Sequence, residues 1–318
     1  MHKISVIIPV YGVEQYIEQC ARSLFGQTLD DIEFIFVNDC TPDKSIFLLE
    51  RILKDYPHRQ HLTKIIHHDK NMGLPTARLS GIKKATGEYI AHCDSDDWVD
   101  LNLYENAYKK AKLNDADVVI YDAKKIEGKE CHTTILKNYS NAEDYIMDMM
   151  YKKTWWSLCN KLIKRDIYNN AITYPLDAMG EDMCLTLQLS FYCKVITNIH
   201  NLYYYYRSNP HSIIKKQDKS TSINKYEQIC RNVEILKTFY SPHKKYLGGL
   251  NFLDYNTQFS LLSLIGYKKY YHIWRNKYKQ CNWDIISDKK VPFKERVRAL
   301  LILLKLFPIP QNKYQIKK

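Results

Sequence analysis

The first third of the chain repeats one unit: a short apolar run, a turn, then apolar residues at helical spacing. Residues 4–9 form the first run, and Val13, Tyr16, Ile17, Cys20, Leu24 and Phe25 follow at helical intervals as far as Gly26. Residues 33–38 form the second, which delivers Asp39 and a Thr41-Pro42-Asp43 turn into a segment carrying Ile46, Leu49, Ile52 and Leu53. Residues 62–67 lead through Asn71-Met72-Gly73-Leu74-Pro75 to Ala77, Ile82 and Ala85, and residues 89–93 form a fourth run. Strands alternating with helices in this way require right-handed crossovers. They predict an α/β fold, a Rossmann-like, mostly parallel sheet with helices on both faces. Ligands of such sheets lie outside the carboxyl ends of the strands, where Asp39, Asn71, Asp94, Asp96 and Asp97 would gather.

The fourth run ends in Asp94-Ser95-Asp96-Asp97. If the chain stays extended through Ser95, Asp94 and Asp96 share one side, ~6–7 Å apart. That spacing suits one Mg²⁺ or Mn²⁺ ion, which takes hard oxygen donors and is commonly shared between one or two carboxylates and substrate phosphates. The alternative is a helix N-cap, with Asp97 ahead of Trp98-Val99-Asp100-Leu101. Taken singly, Asp39 could start an Asx-turn before Pro42, and Asn71 could take a left-handed turn conformation. His67 and His68 would face opposite sides of a strand, in surface or core roles.

With 318 residues, 45% hydrophobic and 26% charged, the chain can bury a sizeable core as one domain with an extension or as two domains. No apolar stretch is long enough to span a bilayer, and Met1-His2-Lys3 runs directly into the first apolar run without a signal-peptide pattern. The nine cysteines are scattered without Cys-x-x-Cys pairs, which predicts reduced thiols in a cytosol. A net charge of +12 favours anionic partners: nucleic acid, a lipid surface or a nucleotide substrate. No helix-turn-helix, RNA-recognition or zinc-finger signature supports the first of these.

Taken in order, Ser5-Val6-Ile7-Ile8-Pro9-Val10-Tyr11, Val37-Asn38-Asp39-Cys40-Thr41-Pro42-Asp43, Asn71-x-Gly73-Leu74-x-x-Ala77-Arg78-x-x-Gly81, Ala85-Thr86-Gly87-Glu88-Tyr89-Ile90 and Asp94-Ser95-Asp96-Asp97 resemble the family-2 glycosyltransferases of the GT-A fold, of the bacterial surface-polysaccharide type. The resemblance implies an inverting hexosyl or N-acetylhexosaminyl transfer from a nucleotide diphosphate donor, a UDP-sugar, with Mn²⁺ or Mg²⁺ as cofactor. It implies that Asp39 contacts the base or ribose, that Pro9 and Tyr11 shape the nucleotide pocket with Asn71 nearby, and that Arg78 steadies the acidic strand end. Asp94 would lie near ribose and metal, and Asp96 would ligate the metal. Asn38, Cys40 and Pro42 replace the commoner Asp, Gly and Thr, and Leu79 stands where Asn is frequent, changes that bear on loop packing and base preference.

After an apolar run at residues 117–121 the alternation stops. Residues 124–136 read as a polar hairpin around Gly128 and residues 141–151 as a short helix. Gly180-Glu181-Asp182 opens a helix through Leu185, Leu187, Leu189 and Tyr192. In the resembled family a Glu-Asp pair preceded by Gly marks the acceptor side, which makes Asp182 the general base; the residues alone also allow a charge favoured by the helix dipole. After residues 195–199, the run from Tyr203 through Arg207 and His211 to Ile213 resembles the family's Tyr-Tyr-x-Arg…Ser-Ile segment. Arg207 and His211 would then close over the diphosphate; tyrosines packed at a sheet edge are the alternative.

The expected organisation is a catalytic region at 1–214, with a nucleotide-sugar half at 1–122 and an acceptor half at 123–214, and a helical region at 215–318 in which Tyr226, Ile229, Val233 and Leu236 form a stripe. At the end, Phe293, Val297, Leu300, Leu301, Leu304 and Phe307 recur at helical spacing among Lys294, Arg296, Arg298 and Lys305. Such a helix, beside the basic, tyrosine-rich residues 267–283, could lie in an anionic membrane interface, or pack on the catalytic region with its charges solvated. The acceptor would be a saccharide or a lipid-linked saccharide in cell-surface polysaccharide or lipopolysaccharide synthesis, at a cytoplasmic site peripheral to the inner membrane face. The competing readings are a nucleotide-sugar-binding protein without turnover and a basic nucleic-acid-binding protein; Asp96 and Asp182 together favour the enzyme.

Overall fold

β1 (Ile4–Val10) is buried along its whole length, as a strand must be when helices cover both faces of its sheet. The computed structural model describes residues 2–209, 219–265, 272, 275, 276 and 281–307. α1 (Ile17–Phe25), β2 (Ile32–Asn38), α2 (Ser45–Leu53), β3 (Thr63–His67), α3 (Leu74–Lys84) and β4 (Tyr89–His92) follow β1 in the order that the alternation predicts. β2 and β4 flank β1, and β3 lies outside β2, all parallel. The chain then passes through β5 (Trp98–Val99), α4 (Leu103–Asn114), β6 (Val118–Glu127), β7 (Glu130–Thr134), α5 (Ala142–Met150), β8 (Lys161–Lys164), α6 (Glu181–Phe191) and β9 (Ile196–Arg207). The described strands form a nine-stranded sheet in the order β3-β2-β1-β4-β8-β6-β9-β5, with β7 paired to β6.

The pattern breaks where β8 enters antiparallel between β4 and β6. The β6–β7 hairpin turns at Gly128, whose φ is 60°. Two expectations are modified. The strand expected at 117–121 begins at Val118 and continues to Glu127, and the one expected at 195–199 begins at Ile196 and joins the tyrosine run in the single strand β9. A bulge after Tyr121 makes this possible. There the buried Asp122 carboxylate accepts the Leu136 N–H at 3.0 Å and the Asn201 N–H at 3.1 Å, satisfying backbone that the irregularity would leave unpaired. Tyr204 and Tyr205 consequently lie between β6 and β5, inside the sheet rather than at its edge.

One face of the sheet packs on α1 and α4 through Leu24, Phe25, Leu103 and Tyr104. The other packs on α5, α6 and the C-terminal helices. α3 sits close on the central strand because it presents Gly81: a Cβ there would stand 2.4 Å from Ile7 Cγ2. α7 (Lys219–Tyr240), α8 (Leu247–Ile265), α9 (Cys281–Ser287) and α10 (Phe293–Leu303) complete the described chain. Tyr226, Ile229, Val233 and Leu236 are buried against Met183 and Leu187 of α6, and Tyr240 donates to the Leu187 carbonyl at 2.7 Å. α10 faces inward through Ala299 and Ile302 and leaves Phe293, Val297, Leu300 and Leu304 exposed. Phe307 leaves that stripe, its ring meeting Phe259 at 5.6 Å. No helix among the described residues is long and apolar enough to cross a membrane. His211 and most of residues 267–283 lie outside the described residues.

Gly81→Ala forces a methyl against the buried Ile7 side chain. It is expected to cost about 1–3 kcal/mol by overpacking, read as a lower thermal midpoint in circular dichroism. An unchanged midpoint would contradict the packing described.

Candidate active site

The carboxyl ends of β1, β2 and β4 open on one side of the sheet, and each delivers polar residues there. Behind Pro9, Tyr11 stands half exposed at the end of β1. After β2, Asp39 is buried. Its Oδ1 accepts the Met72 N–H at 2.7 Å, its Oδ2 accepts the Gly73 N–H at 2.8 Å, and His68 Nδ1 lies 2.8 Å from Oδ1. His68 Nε2 is 2.9 Å from Ser80 Oγ, so the histidine ties the loop to α3. Asp39 therefore does not form the Asx-turn; the loop is held instead by Asn38, whose side-chain oxygen accepts the Thr41 N–H three residues on at 2.9 Å. Asn71 is not left-handed either, since the positive φ of 84° falls at Gly73.

Beyond β4 the chain does not stay extended. The Asp97 N–H donates to the Asp94 carbonyl at 3.0 Å, making a turn over Ser95-Asp96. The strand spacing assumed for Asp94 and Asp96 is thus replaced by turn geometry. The turn still brings the two carboxylates close enough for Asp94 to add to burial in raising the Asp96 pKa. Asp96 Oδ2 accepts from Asn209 Nδ2 at 2.9 Å, and the Asp96 carbonyl accepts from Arg207 Nε at 2.9 Å. Asp97 caps no helix, because α4 begins only at Leu103. It is buried, accepting the Tyr204 hydroxyl at 2.6 Å and the Arg207 N–H at 2.7 Å, and burial followed by its acidic neighbours raises its pKa strongly. Tyr204 also accepts the Asp94 N–H at 3.1 Å.

Arg78 joins this acidic turn to α6. From α3 its buried guanidinium donates to Asp94 Oδ1 at 2.5 Å and to Glu181 Oε1. Burial opposes its charge, and Asp94 and Glu181 more than offset that, holding its pKa above the ordinary arginine value. Glu181 and Asp182 open α6 after Gly180, whose φ is 77°. A side chain at Gly180 would also collide with Ile229 of α7, its Cβ falling 2.8 Å from Cδ1. Burial raises the Asp182 carboxyl, opposed by Arg78 and Lys161. Lys161 is itself buried; its ammonium donates to Asn160 Oδ1 at 2.7 Å and to the Ser157 carbonyl, and burial pushes its pKa down to about 7.

Arg207 packs between two rings, 4.6 Å from Trp98 and 5.2 Å from Tyr16, while Trp98 stacks on Tyr205 at 5.1 Å. The guanidinium is thereby held beside Asp96. Tyr204, Asn209 and Lys161 are not among the expected site residues, and His68, expected in a surface or core role, lies instead against Asp39. For Tyr204 a signal existed, since a buried tyrosine inside a strand needs a partner for its hydroxyl.

Among the described residues no group of three or more His, Cys, Asp or Glu side chains is arranged to enclose a metal alone. The donor set nonetheless fits a hard divalent cation that keeps waters and takes phosphate oxygens. Asp94 and Asp96 are two oxygen donors at one turn, and their mutual repulsion is what such an ion relieves.

Residues 5–178 match the model of Glycosyl transferase family 2, and the chain belongs to that family. Uncharacterized glycosyltransferase EpsJ of Bacillus subtilis (strain 168) is 31% identical over 229 residues, 66% of this chain and 62% of EpsJ. The chain spans less than two thirds of the length of the Bacillus subtilis relatives it matches. Cholesterol galactosyltransferase of Borreliella burgdorferi is 25% identical over an alignment of 342 positions that covers 100% of this chain and 87% of the relative. Among solved structures, Staphylococcus aureus TarS 1–349 in complex with UDP-GlcNAc superposes with a TM-score of 0.69 at 19% identity, covering 96% of this chain and 88% of TarS 1–349. The shared architecture is the GT-A fold.

Arg78→Met leaves the buried Glu181 carboxylate without its cation. A loss of about 3–5 kcal/mol is expected, measured by urea denaturation. A variant as stable as the wild type would mean that the Arg78–Glu181 contact does not hold α6 against the acidic turn.

Proposed function

We propose that the chain is an inverting glycosyltransferase that moves a hexosyl or N-acetylhexosaminyl group from a UDP-sugar to the hydroxyl of a saccharide or lipid-linked saccharide. The observation that carries this reading is the Arg78 clamp, which brings the N-terminus of α6, with Asp182, against the turn that holds Asp94 and Asp96. A donor-side carboxylate pair and a separate carboxylate across from it are what single displacement needs. A protein that only binds nucleotide sugars has no use for the second, and a nucleic-acid-binding protein for neither.

The nucleotide would lie over the ends of β1 and β2, between Pro9, Tyr11 and the Asn71 loop. Asp39 fixes that loop and retains one acceptor position on Oδ2 for the base or ribose. Asp94 and Asp96 would hold Mn²⁺ or Mg²⁺ against the diphosphate. The bound ion would offset charge growing on the leaving group. Arg207, and His211 beyond it, would face the same phosphates. Asp182 takes the proton from the acceptor hydroxyl as that oxygen attacks the anomeric carbon. UDP-GlcNAc in TarS supports the donor class, and the name of the Borreliella relative supports an acceptor carried in a membrane. We assign catalysis to residues 1–214, divided near residue 122 into donor and acceptor halves, with 215–318 as a helical extension. Its place would be the cytoplasmic face of the membrane, in surface-polysaccharide synthesis.

Asp96→Ala is expected to abolish the Mn²⁺-dependent part of UDP binding in calorimetry; wild-type affinity in the presence of Mn²⁺ would remove Asp96 from the metal site. Asp182→Asn keeps shape and loses the base, so UDP binding should survive while turnover falls roughly 10²- to 10⁴-fold. Undiminished turnover would place the base elsewhere. Burial raises the Asp182 pKa. The base is active only when ionised, so turnover should fall with decreasing pH at a midpoint above that of a free aspartate, about 3.9. A pH–rate profile flat down to that value would contradict the assignment.

A further inference from the structure

We propose that the outward face of α10 is a docking surface for an anionic lipid bilayer, an inference that deepens the membrane-carried acceptor reading given above. Phe293, Val297 and Leu300 of α10 and Leu304, its C-cap, are 77%, 37%, 37% and 54% exposed, at positions i, i+4, i+7 and i+11. They form a single line along its solvent side. Ala299 and Ile302, on the other side, are fully buried, so the anchoring of α10 leaves this apolar line outside. Leu306, 68% exposed, and Trp283 of α9, 61% exposed, add to the apolar surface of this part of the chain. Isolated exposed apolar side chains are ordinary, but a continuous line of them marks a surface that something covers.

The surrounding charge selects the occupant. Lys289 and Lys290 in the turn before α10, Lys294 in its first turn and Lys305 after its end are all exposed. The neighbouring acids are mostly engaged within the protein: Glu295 accepts from Arg298 at 2.6 Å, and Asp288 accepts the Tyr151 hydroxyl. Asp284 on α9 is exposed and accepts from Asn251 Nδ2 at 3.4 Å. An apolar line rimmed by lysines matches the acyl boundary and the anionic headgroups of a bilayer together. α10 has 11 residues. At 1.5 Å per residue it is about 16 Å long, enough to lie in the interface and about half of what spanning requires.

The test is flotation of the full chain with vesicles of phosphatidylcholine alone and of equal parts phosphatidylcholine and phosphatidylglycerol, at low and high salt. The wild type should float with the mixed vesicles, less so at high salt, and little with phosphatidylcholine alone. Leu300→Asp with Leu304→Asp should abolish flotation. Lys→Gln at 289, 290, 294 and 305 should weaken partitioning roughly fivefold for each lysine removed. Because these side chains are exposed, circular dichroism and UDP binding should stay as in the wild type. Variants that float as well as the wild type would overturn the proposal. So would flotation that appears only after removal of residues 308–318, which would make that tail the occupant, or light scattering that shows a wild-type dimer dispersed by the Leu→Asp changes. A chain that binds UDP yet never floats would defeat this surface and leave the transferase reading standing.

Discussion

A buried guanidinium between two carboxylates organises the site. Arg78 reaches from α3 to Asp94 at the end of β4 and to Glu181 at the start of α6, two elements separated by almost ninety positions of chain. An arginine buried this deeply is tolerable only when its charge is met, and the buried Glu181 carboxylate needs the arginine for the same reason, while Asp94 meets it from a partly exposed position. The three groups thus specify one another's positions, and with them the placement of Asp182 beside the acidic turn. Gly81 allows α3 to approach β1, and Gly180 allows α6 to begin against α7, so the clamp depends on two places where a side chain would not fit.

The acidic turn would repel itself without further support. Asp97, buried within that repulsion, accepts the Tyr204 hydroxyl and the Arg207 amide, which fasten β9 to the turn. Arg207, stacked between Trp98 and Tyr16, supplies a cation beside Asp96 without neutralising it directly: its Nε bonds the Asp96 carbonyl, not the carboxylate. Asp94 and Asp96 remain as oxygen donors, the first sharing its Oδ1 with Arg78 and the second its Oδ2 with Asn209. A turn held in this way can present negative charge to a cation and a diphosphate without reorganising, the preorganisation that electrostatic catalysis relies on.

Much of this was legible in the sequence because the signals were periodic. Apolar runs of strand length, each ended by a turn and followed by helical spacing, gave the first four strands and their crossovers. The course of β9 was not legible, because the bulge at Asp122 that joins residues 195–199 to the tyrosine run depends on contacts from Leu136 and His200. The conformation of the acidic turn was hidden for a related reason: whether Ser95 stays extended is decided by the Asp97 N–H bond to Asp94, and nothing in the local residue types demands it. Asp39 was singled out for ligand contact, yet much of its hydrogen-bonding capacity is spent on Met72, Gly73 and His68, partners separated from it by some thirty residues. On α10 the apolar spacing was readable, but which side would be buried was not, since Ala299 and Ile302 rather than the longer stripe of Phe293, Val297, Leu300 and Leu304 face the core.

In the proposed single displacement a nucleophilic oxygen, deprotonated at Asp182, would approach the anomeric carbon from the side opposite the diphosphate. Water can stand in for the acceptor, which makes the stereochemistry accessible before the acceptor is identified. The most direct measurement is time-resolved proton NMR of UDP-N-acetylglucosamine, whose sugar is α-linked, incubated with the chain and Mn²⁺, observing the anomer first released before mutarotation. Initial appearance of the β anomer is the predicted result; initial release of the α anomer would contradict the mechanism.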